Sequence, residues 1–402
     1  MTATVAFERR DIRVIGLISG AHFFSHFFFL TLPPLYPILR AEMGVSYTAL
    51  GATATAFAIA SGIGQLPMGF IVDRFGARYV LIGGITLMSL AVGCMGLAPS
   101  YIWLPVLALI AGGANSVFHP ADYAILSHTV KGTRVGRAYS IHTFSGFVGW
   151  AVAPPFMTLI ATQWGWRAAL FCACAAGLAM ALVLIFRRDE LAAPTRAATP
   201  AGGTTKHGGF GVLLHPGILI LFCFFIANAM TSVGINTFSV SALHDLHGME
   251  IQLATSALTA YLVAGAGGVL LGGYIADRTR RYEMVAFIGY VASASAMLAI
   301  AWADLGVTPV ILTFALAGIM LGSILPSRDM LVRSMMPPGS AGRIFGFLSA
   351  GIEIGAAISP LVFGWLIDHG NPSRVFVLCA TFMMGSLATA SLAAVMARKR
   401  AM

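Results

Sequence analysis

The sequence predicts an all-α integral membrane protein that crosses the bilayer twelve times. Three observations carry that expectation. Only 10% of the 402 residues are charged while 58% are hydrophobic. Apolar runs of spanning length recur to the C-terminus, and basic residues gather in alternate loops. Soluble chains carry about 25% charged residues, so a soluble domain with a single anchor is excluded.

A crossing helix needs about 20 apolar residues. Twelve such runs occupy residues 12–39, 46–72, 79–98, 101–127, 137–160, 167–187, 214–242, 251–276, 284–303, 307–333, 343–367 and 375–397. Between the sixth and seventh lies RRDELAAPTRAATPAGGTTKHGG. Its Ala, Pro, Thr and Gly content reads as a flexible linker. The expected organisation is an N-terminal six-helix half (1–187), a linker (188–211) and a C-terminal six-helix half (212–402).

One set of loops holds Arg9, Arg10 and Arg13; Arg74 and Arg78; Lys131, Arg134 and Arg137; Arg187, Arg188, Arg196 and Lys206; Arg278, Arg280 and Arg281; Arg333 and Arg343; and Arg398, Lys399 and Arg400. The other set keeps only Arg40, Arg167 and Arg374. The positive-inside rule then places both termini and the linker in the cytoplasm, with a bacterial inner membrane as the expected location. This asymmetry accounts for the net charge of +9, so no nucleic-acid partner is implied. Cys94, Cys172, Cys174, Cys223 and Cys379 fall in apolar runs and read as small buried or lipid-facing residues. The opening MTATVAFERRDIR lacks a cleavage site after a short apolar region, so no signal peptide is expected.

The chain repeats itself. GFIVDRFGARYV (69–80) closes span two and GGYIADRTRRYEMV (272–285) closes span eight. FHPADY…GRAYS…GWAVAPP aligns at a constant offset with LPSRDM…GRIFG…GAAISPL, pairing Pro120 with Pro326, Arg137 with Arg343 and Pro154 with Pro360. Repeated six-helix halves are the mark of a transporter with a midplane site.

On these motifs the chain resembles the major facilitator superfamily over essentially its whole length. The G-x-x-x-D-R-x-G-x-R signature stands as Gly69, Asp73, Arg74, Gly76 and Arg78. The second copy keeps Gly273, Asp277, Arg278 and Arg281, with Arg280 where the glycine would be. The resemblance implies two pseudo-symmetric halves, a monomer, a small-molecule substrate in the lipid bilayer, and no cofactor beyond a proton gradient. It implies a cytoplasmic gate brace at Gly69, Asp73, Arg74, Arg78, Arg137, Asp277 and Arg278. Gly69 is expected to let two helices approach closely, and Asp73 to pair with an arginine or a helix N-terminus. For the arginines, simple topology control is the competing reading.

In span four, G-x-x-SVFHP resembles the fosmidomycin-resistance group, and fosmidomycin is a phosphonate. Two drug-antiporter patterns are broken. Ala108 stands where span four would carry an arginine, and G-x-x-x-G-P reads Gly149–Trp–Ala–Val–Ala153–Pro154. Both departures argue against drug/proton antiport.

Ionisable groups within a membrane are costly and usually functional. Spans three, six, nine and twelve carry no charged residue or histidine in their apolar stretches; by the resemblance these are peripheral, while spans one, four, seven and ten surround the cavity. His22 and His26 share a face of span one, and His119 and Asp122 share a face of span four below Asn115. Histidine titrates near neutrality, and a nearby carboxylate makes it a proton carrier. Span five offers His142, span seven Asn228 and Asn236, span ten Arg328 and Asp329, and span eleven Glu353. Bland alternatives stay open. His26 could bond a backbone carbonyl, Asp122 could pair with Arg137 or Lys131, Arg328 with Asp329 could satisfy each other, and Glu353 could tie two helices. Pro120 should bend span four. The run Phe27–Phe29 reads as packing or lipid-facing, and Trp150, Trp164, Trp166 and Trp365 mostly as interfacial anchors.

The favoured function is proton-coupled transport of a small polar or anionic organic solute by alternating access. The direction is open: efflux of a phosphonate-like drug, or uptake of an organic anion. The alternative is a divalent transition-metal transporter using His22, His26, His119 and Asp122. A receptor or membrane enzyme is disfavoured, because no nucleophile–base motif, phosphate loop or C-x-x-C pair is present.

Overall fold

The computed structural model describes residues 9–130, 134–191, 213–279, 281–334 and 341–401, and the side chains of these except 329, 331–334, 341–343, 345 and 393–401. Described elements are helical: α1 (Arg9–Phe29), a 3₁₀ turn (Pro33–Leu35), α2 (Tyr36–Met43), α3 (Tyr47–Phe75), α4 (Ala77–Met95), α5 (Trp103–Asn115), α6 (Phe118–Thr129), α7 (Val135–Phe186), α8 (Pro216–His247), α9 (Ile251–Arg278), α10 (Tyr282–Trp302), α11 (Val307–Ser334), α12 (Ala341–Asp368) and α13 (Ser373–Ala401). Eleven helical stretches are long and apolar enough to cross a membrane. One of them, α7, holds 52 residues and is broken by Gly165 at φ 85°. A left-handed φ is cheap only for glycine, so α7 is two spans joined at a kink, and the expected count of twelve follows. The break falls between the runs 137–160 and 167–187 that hydropathy separates. Beyond Leu191 the expected linker lies outside the described residues.

Span four is also divided. The chain turns at Ser116–Val117 between α5 and α6. Pro120 sits in the first turn of α6, where its missing N–H cannot bond the Ser116 carbonyl. Pro67, Pro326 and Pro360 remain inside α3, α11 and α12.

By contacts the chain divides into two compact units, Met1–Met43 with Ala56–Gly203, and Gly44–Thr55 with Thr204–Met402. In the first, α7 packs on α1 and α4, and α6 reaches α1, α4 and α7. In the second, α11 packs on α9 and α10, and α8 packs on α12 and α13. Large apolar side chains face outward on several helices, with Leu66, Phe70 and Phe186 near 80% exposed (78%, 80% and 82%). Such surface suits lipid rather than water.

Bare backbone lets the helices of the second unit touch. A Cβ added at Gly318 would lie 2.1 Å from the Tyr261 carbonyl oxygen, and one at Gly322 would lie 2.1 Å from that of Gly265. Small residues drive such seams where no hydrophobic effect separates helix from lipid. Gly69 is different, since a Cβ there would meet nothing within 4 Å. The close helix approach expected at Gly69 is absent, because that last part of α3 has no helix packed over the glycine.

The start of α3 is capped from within the second unit. Asp368, the last residue of α12, accepts from Tyr47 N (2.8 Å), Thr48 N (2.8 Å) and Thr48 Oγ1 (2.6 Å). Ser46 Oγ accepts from Ala49 N at 3.1 Å. These bonds satisfy three of the orphan donors at the helix start, and a carboxylate there also suits the helix dipole. Tyr47 Oη donates to Asp245 at 3.1 Å, and Thr55 Oγ1 to the Ala357 carbonyl at 2.7 Å.

Gly322→Val is expected to lower stability by about 1–3 kcal/mol through overpacking. Thermal unfolding in detergent measures this, and Gly69→Ala, where space is open, should melt like the wild type.

Candidate functional site

Four histidines and one aspartate from three helices meet in the first unit. α1 supplies His22 and His26, one turn apart. α6 supplies His119 and Asp122, and α7 supplies His142. The carboxylate of Asp122 is the centre. Its Oδ2 lies 2.9 Å from His142 Nε2 and 3.4 Å from His22 Nδ1. The short contact is a hydrogen bond in which one of the two groups carries the shared proton. The rings of His22 and His142 stack with centroids 3.7 Å apart. His26 lies 4.6 Å and His119 5.3 Å from His22 between ring centroids.

Burial is graded across the cluster. His22, Asp122 and His142 are 2%, 0% and 0% exposed. His26 is half-buried, with its ring 4.3 Å from that of Trp150. His119 and Tyr123 are exposed, so the rim of the cluster is open while its centre is closed. Among the described residues no lysine or arginine pairs with Asp122, whose ion partners are the two histidines. Asp122 Oδ1, His26 Nδ1, His142 Nδ1 and Trp150 Nε1 are buried atoms without a hydrogen-bond partner among the described residues. A buried polar atom left so is costly.

Two glycines of α7 make the cluster possible. A Cβ on Gly149 would sit 2.2 Å from the Phe23 carbonyl oxygen of α1. One on Gly146 would sit 2.9 Å from His26 Cε1 and 3.0 Å from His22 Nε2. His142, Gly146 and Gly149 recur at helical spacing, so one face of α7 lies against the histidine face of α1.

The sequence-predicted residues separate into groups. His22, His26, His119, Asp122 and His142 come together. Asn115 sits beside them as a tie, accepting from Ser25 Oγ at 2.7 Å and donating to Ser61 Oγ at 3.1 Å. Asn228 bridges α8, α10 and α13, donating to Tyr290 Oη at 2.9 Å and Ser386 Oγ at 3.2 Å and accepting from Tyr290 at 3.1 Å. Asn236 is buried and keeps an Oδ1 without a bond. The Arg328 guanidinium lies 5.3 Å from the Phe225 ring centroid, beside Tyr290 in a cavity with Ser327. Glu353 is half-buried on α12. The side chain of Asp329 lies outside the described residues.

The arginines of the expected gate are engaged and its aspartates are not, among the described residues. Asp73 and Asp277 are exposed, with no hydrogen bond or ion pair among the described residues. The expected pairing of Asp73 with Arg74 or Arg78 does not form. Gly76, at φ 87°, turns the chain so that Arg78 starts α4 and reaches Asp189 (3.7 Å) and Tyr79 Oη (2.8 Å). Arg74 lies 5.5 Å from the Phe75 ring centroid, and Arg278 3.5 Å from that of Tyr274. Arg137 is exposed.

Sequence reading missed several groups. Asp11 and Arg134 form a buried ion pair at 2.9 Å. Trp166 is fully buried rather than interfacial, and donates to Glu42 at 2.8 Å, which also pairs with Arg167. Trp150 packs on His26 instead of anchoring a span end. Gly146 was readable from its place one turn after His142; the Asp368 cap, about 320 residues from its partners, had no local signal.

These features define a polytopic helical membrane protein with ionisable chemistry built into its spans. The profile of the Major Facilitator Superfamily matches residues 18–281 and 226–401, and the chain belongs to that superfamily. It is 26% identical over 391 residues to the fosmidomycin resistance protein of Escherichia coli K12, covering 94% of this chain and 92% of that one. It is 23% identical over 410 residues to a probable sulfoacetate transporter of Cupriavidus necator H16, again covering 94% and 92%. The crystal structure of a bacterial homologue of the human lysosomal transporter Spinster, inward-facing and occupied, shares the fold with a TM-score of 0.77 at 16% identity, covering 97% of this chain and 98% of that one.

Asp122→Asn is expected to melt no lower than the wild type, because it removes a buried charge. His142→Ala should melt lower by about 1–3 kcal/mol, since it strips the carboxylate of its short donor. Paired thermal unfolding curves check both.

Proposed function

We propose that this chain is a proton-coupled transporter of a small organic anion, with Asp122 and the paired imidazoles of His22 and His142 as the proton site. The observation that carries the reading is the buried carboxylate, with no lysine or arginine paired to it among the described residues. An isolated buried carboxylate is strongly disfavoured, so the site calls for a positive charge, and an imidazole that gains a proton supplies it. His119 at the exposed rim is the relay through which the proton enters. The relatives named for fosmidomycin and sulfoacetate support an anionic solute, and Arg328 is the cation best placed within a span to attract one. The basic loops support a cell-membrane protein with both termini in the cytoplasm.

The two ends of α3 supply the conformational step. Its first turn is held by Asp368, while Asp73 in its last turn has no hydrogen bond or ion pair among the described residues. Alternating access exchanges the anchors: the Asp368 cap is released as Asp73 finds a partner.

Proteoliposomes with a trapped pH dye test the coupling, using fosmidomycin and sulfoacetate as solutes. The wild type should move protons only when solute is added, and Asp122→Asn should lose that flux by more than about tenfold, the usual scale of losing a positioned proton carrier. Solute flux that ignores the pH gradient would overturn the proposal. Asp368→Ala, which removes the cap, should raise the reactivity of a cysteine placed at Thr48 toward a water-soluble thiol reagent; unchanged reactivity would refute the anchor exchange.

A further inference from the structure

We propose that His22, Asp122 and His142 form a divalent transition-metal site, at which an ion such as Zn²⁺ arrests transport. Their ligand atoms all lie within 4.8 Å of one another. The set is two imidazole nitrogens and one carboxylate oxygen, the donors that suit Zn²⁺ and its neighbours. Donors around a tetrahedral ion with bonds of about 2.0–2.1 Å stand roughly 3.3 Å apart. Here Asp122 Oδ2 already stands 2.9 Å from His142 Nε2 and 3.4 Å from His22 Nδ1. Both nitrogens meet the same carboxylate oxygen, Asp122 Oδ2. Asp122 Oδ1 has no bond to surrender.

This donor set differs from the one the sequence pointed to. His142 replaces His26 and His119. His26 leans on Trp150, and His119 stays at the exposed rim, where it can receive an ion from outside and pass it inward.

The contact between His142 Nε2 and Asp122 Oδ2 at 2.9 Å uses the lone-pair directions that an ion would take, so binding replaces that contact. The groups facing the ion are His22 and His26 from α1, His119, Asp122 and Tyr123 from α6, and His142 from α7.

The inference rests on the proton-site reading, but its test does not need transport. Equilibrium dialysis of the purified full-length protein against Zn²⁺ alone, and the visible spectrum with Co²⁺ alone, read binding directly. One tightly bound ion per chain is expected, with a tetrahedral-type Co²⁺ spectrum. Asp122→Asn and His142→Gln should each weaken binding by about 100-fold or more, and His119→Gln by less than about tenfold. Asp122→Asn is the decisive variant, since its fold is not at risk. Binding that is absent, or equal in wild type and Asp122→Asn, overturns the site. With the site established, micromolar-range Zn²⁺ should block solute-driven proton flux in the wild type. Zn²⁺ carried across the vesicle membrane would overturn arrest and make the ion a cargo. Failure of proton coupling with Zn²⁺ binding intact would refute the transport reading alone.

Discussion

A carboxylate enclosed by helices, with only imidazoles to meet it, is the constraint on which the first unit turns. Asp122 is fully buried and its partners are His142 and His22. Burial of such a charge costs several kcal/mol unless it is matched. Arginine or lysine would match it permanently. Histidine matches it conditionally, because its charge depends on a proton that comes and goes near neutral pH. In the proposed mechanism this conditional match is what couples the site to protons.

Close helix contact makes that arrangement possible. Gly149 lets α7 rest on the backbone of α1, and Gly146 leaves room for the rings of His22 and His26. The same span reads as a broken antiporter motif, with Ala153 where a second glycine would stand. The remaining glycine serves the histidine cluster. In the second unit, α9 and α11 use the same device where Gly318 meets Tyr261 and Gly322 meets Gly265. Glycine contact is thus general to the fold, and histidine placement is specific to the site.

Hydropathy and glycine rules made much of the fold legible. The break at Gly165 and the division of span four near Pro120 both follow from single residues with restricted or unusual backbone needs. The histidines of α1 and the His119–Asp122 pair were readable because helical spacing brings them to one face. His142 was visible as a polar residue in a span, but its partnership with Asp122 depends on how α6 and α7 pack, which no local pattern encodes. Asn228 shows the opposite error. A polar residue in a span looked available for solute, yet it is consumed by Tyr290 and Ser386 on two other helices. The signature loop was legible as a motif, but which of its charges are engaged was not: among the described residues Asp73 has no ion pair while Arg78 reaches Asp189.

The central claim is that the charge of Asp122 is balanced by a proton that the imidazole pair gains and loses. Nitrogen-15 NMR of histidine-labelled protein, titrated between about pH 5 and pH 8, tests it most directly. The account predicts an imidazole signal that moves with pH in the wild type and is lost or displaced in Asp122→Asn. Buried imidazole signals that stay neutral throughout and are the same in both proteins would contradict it.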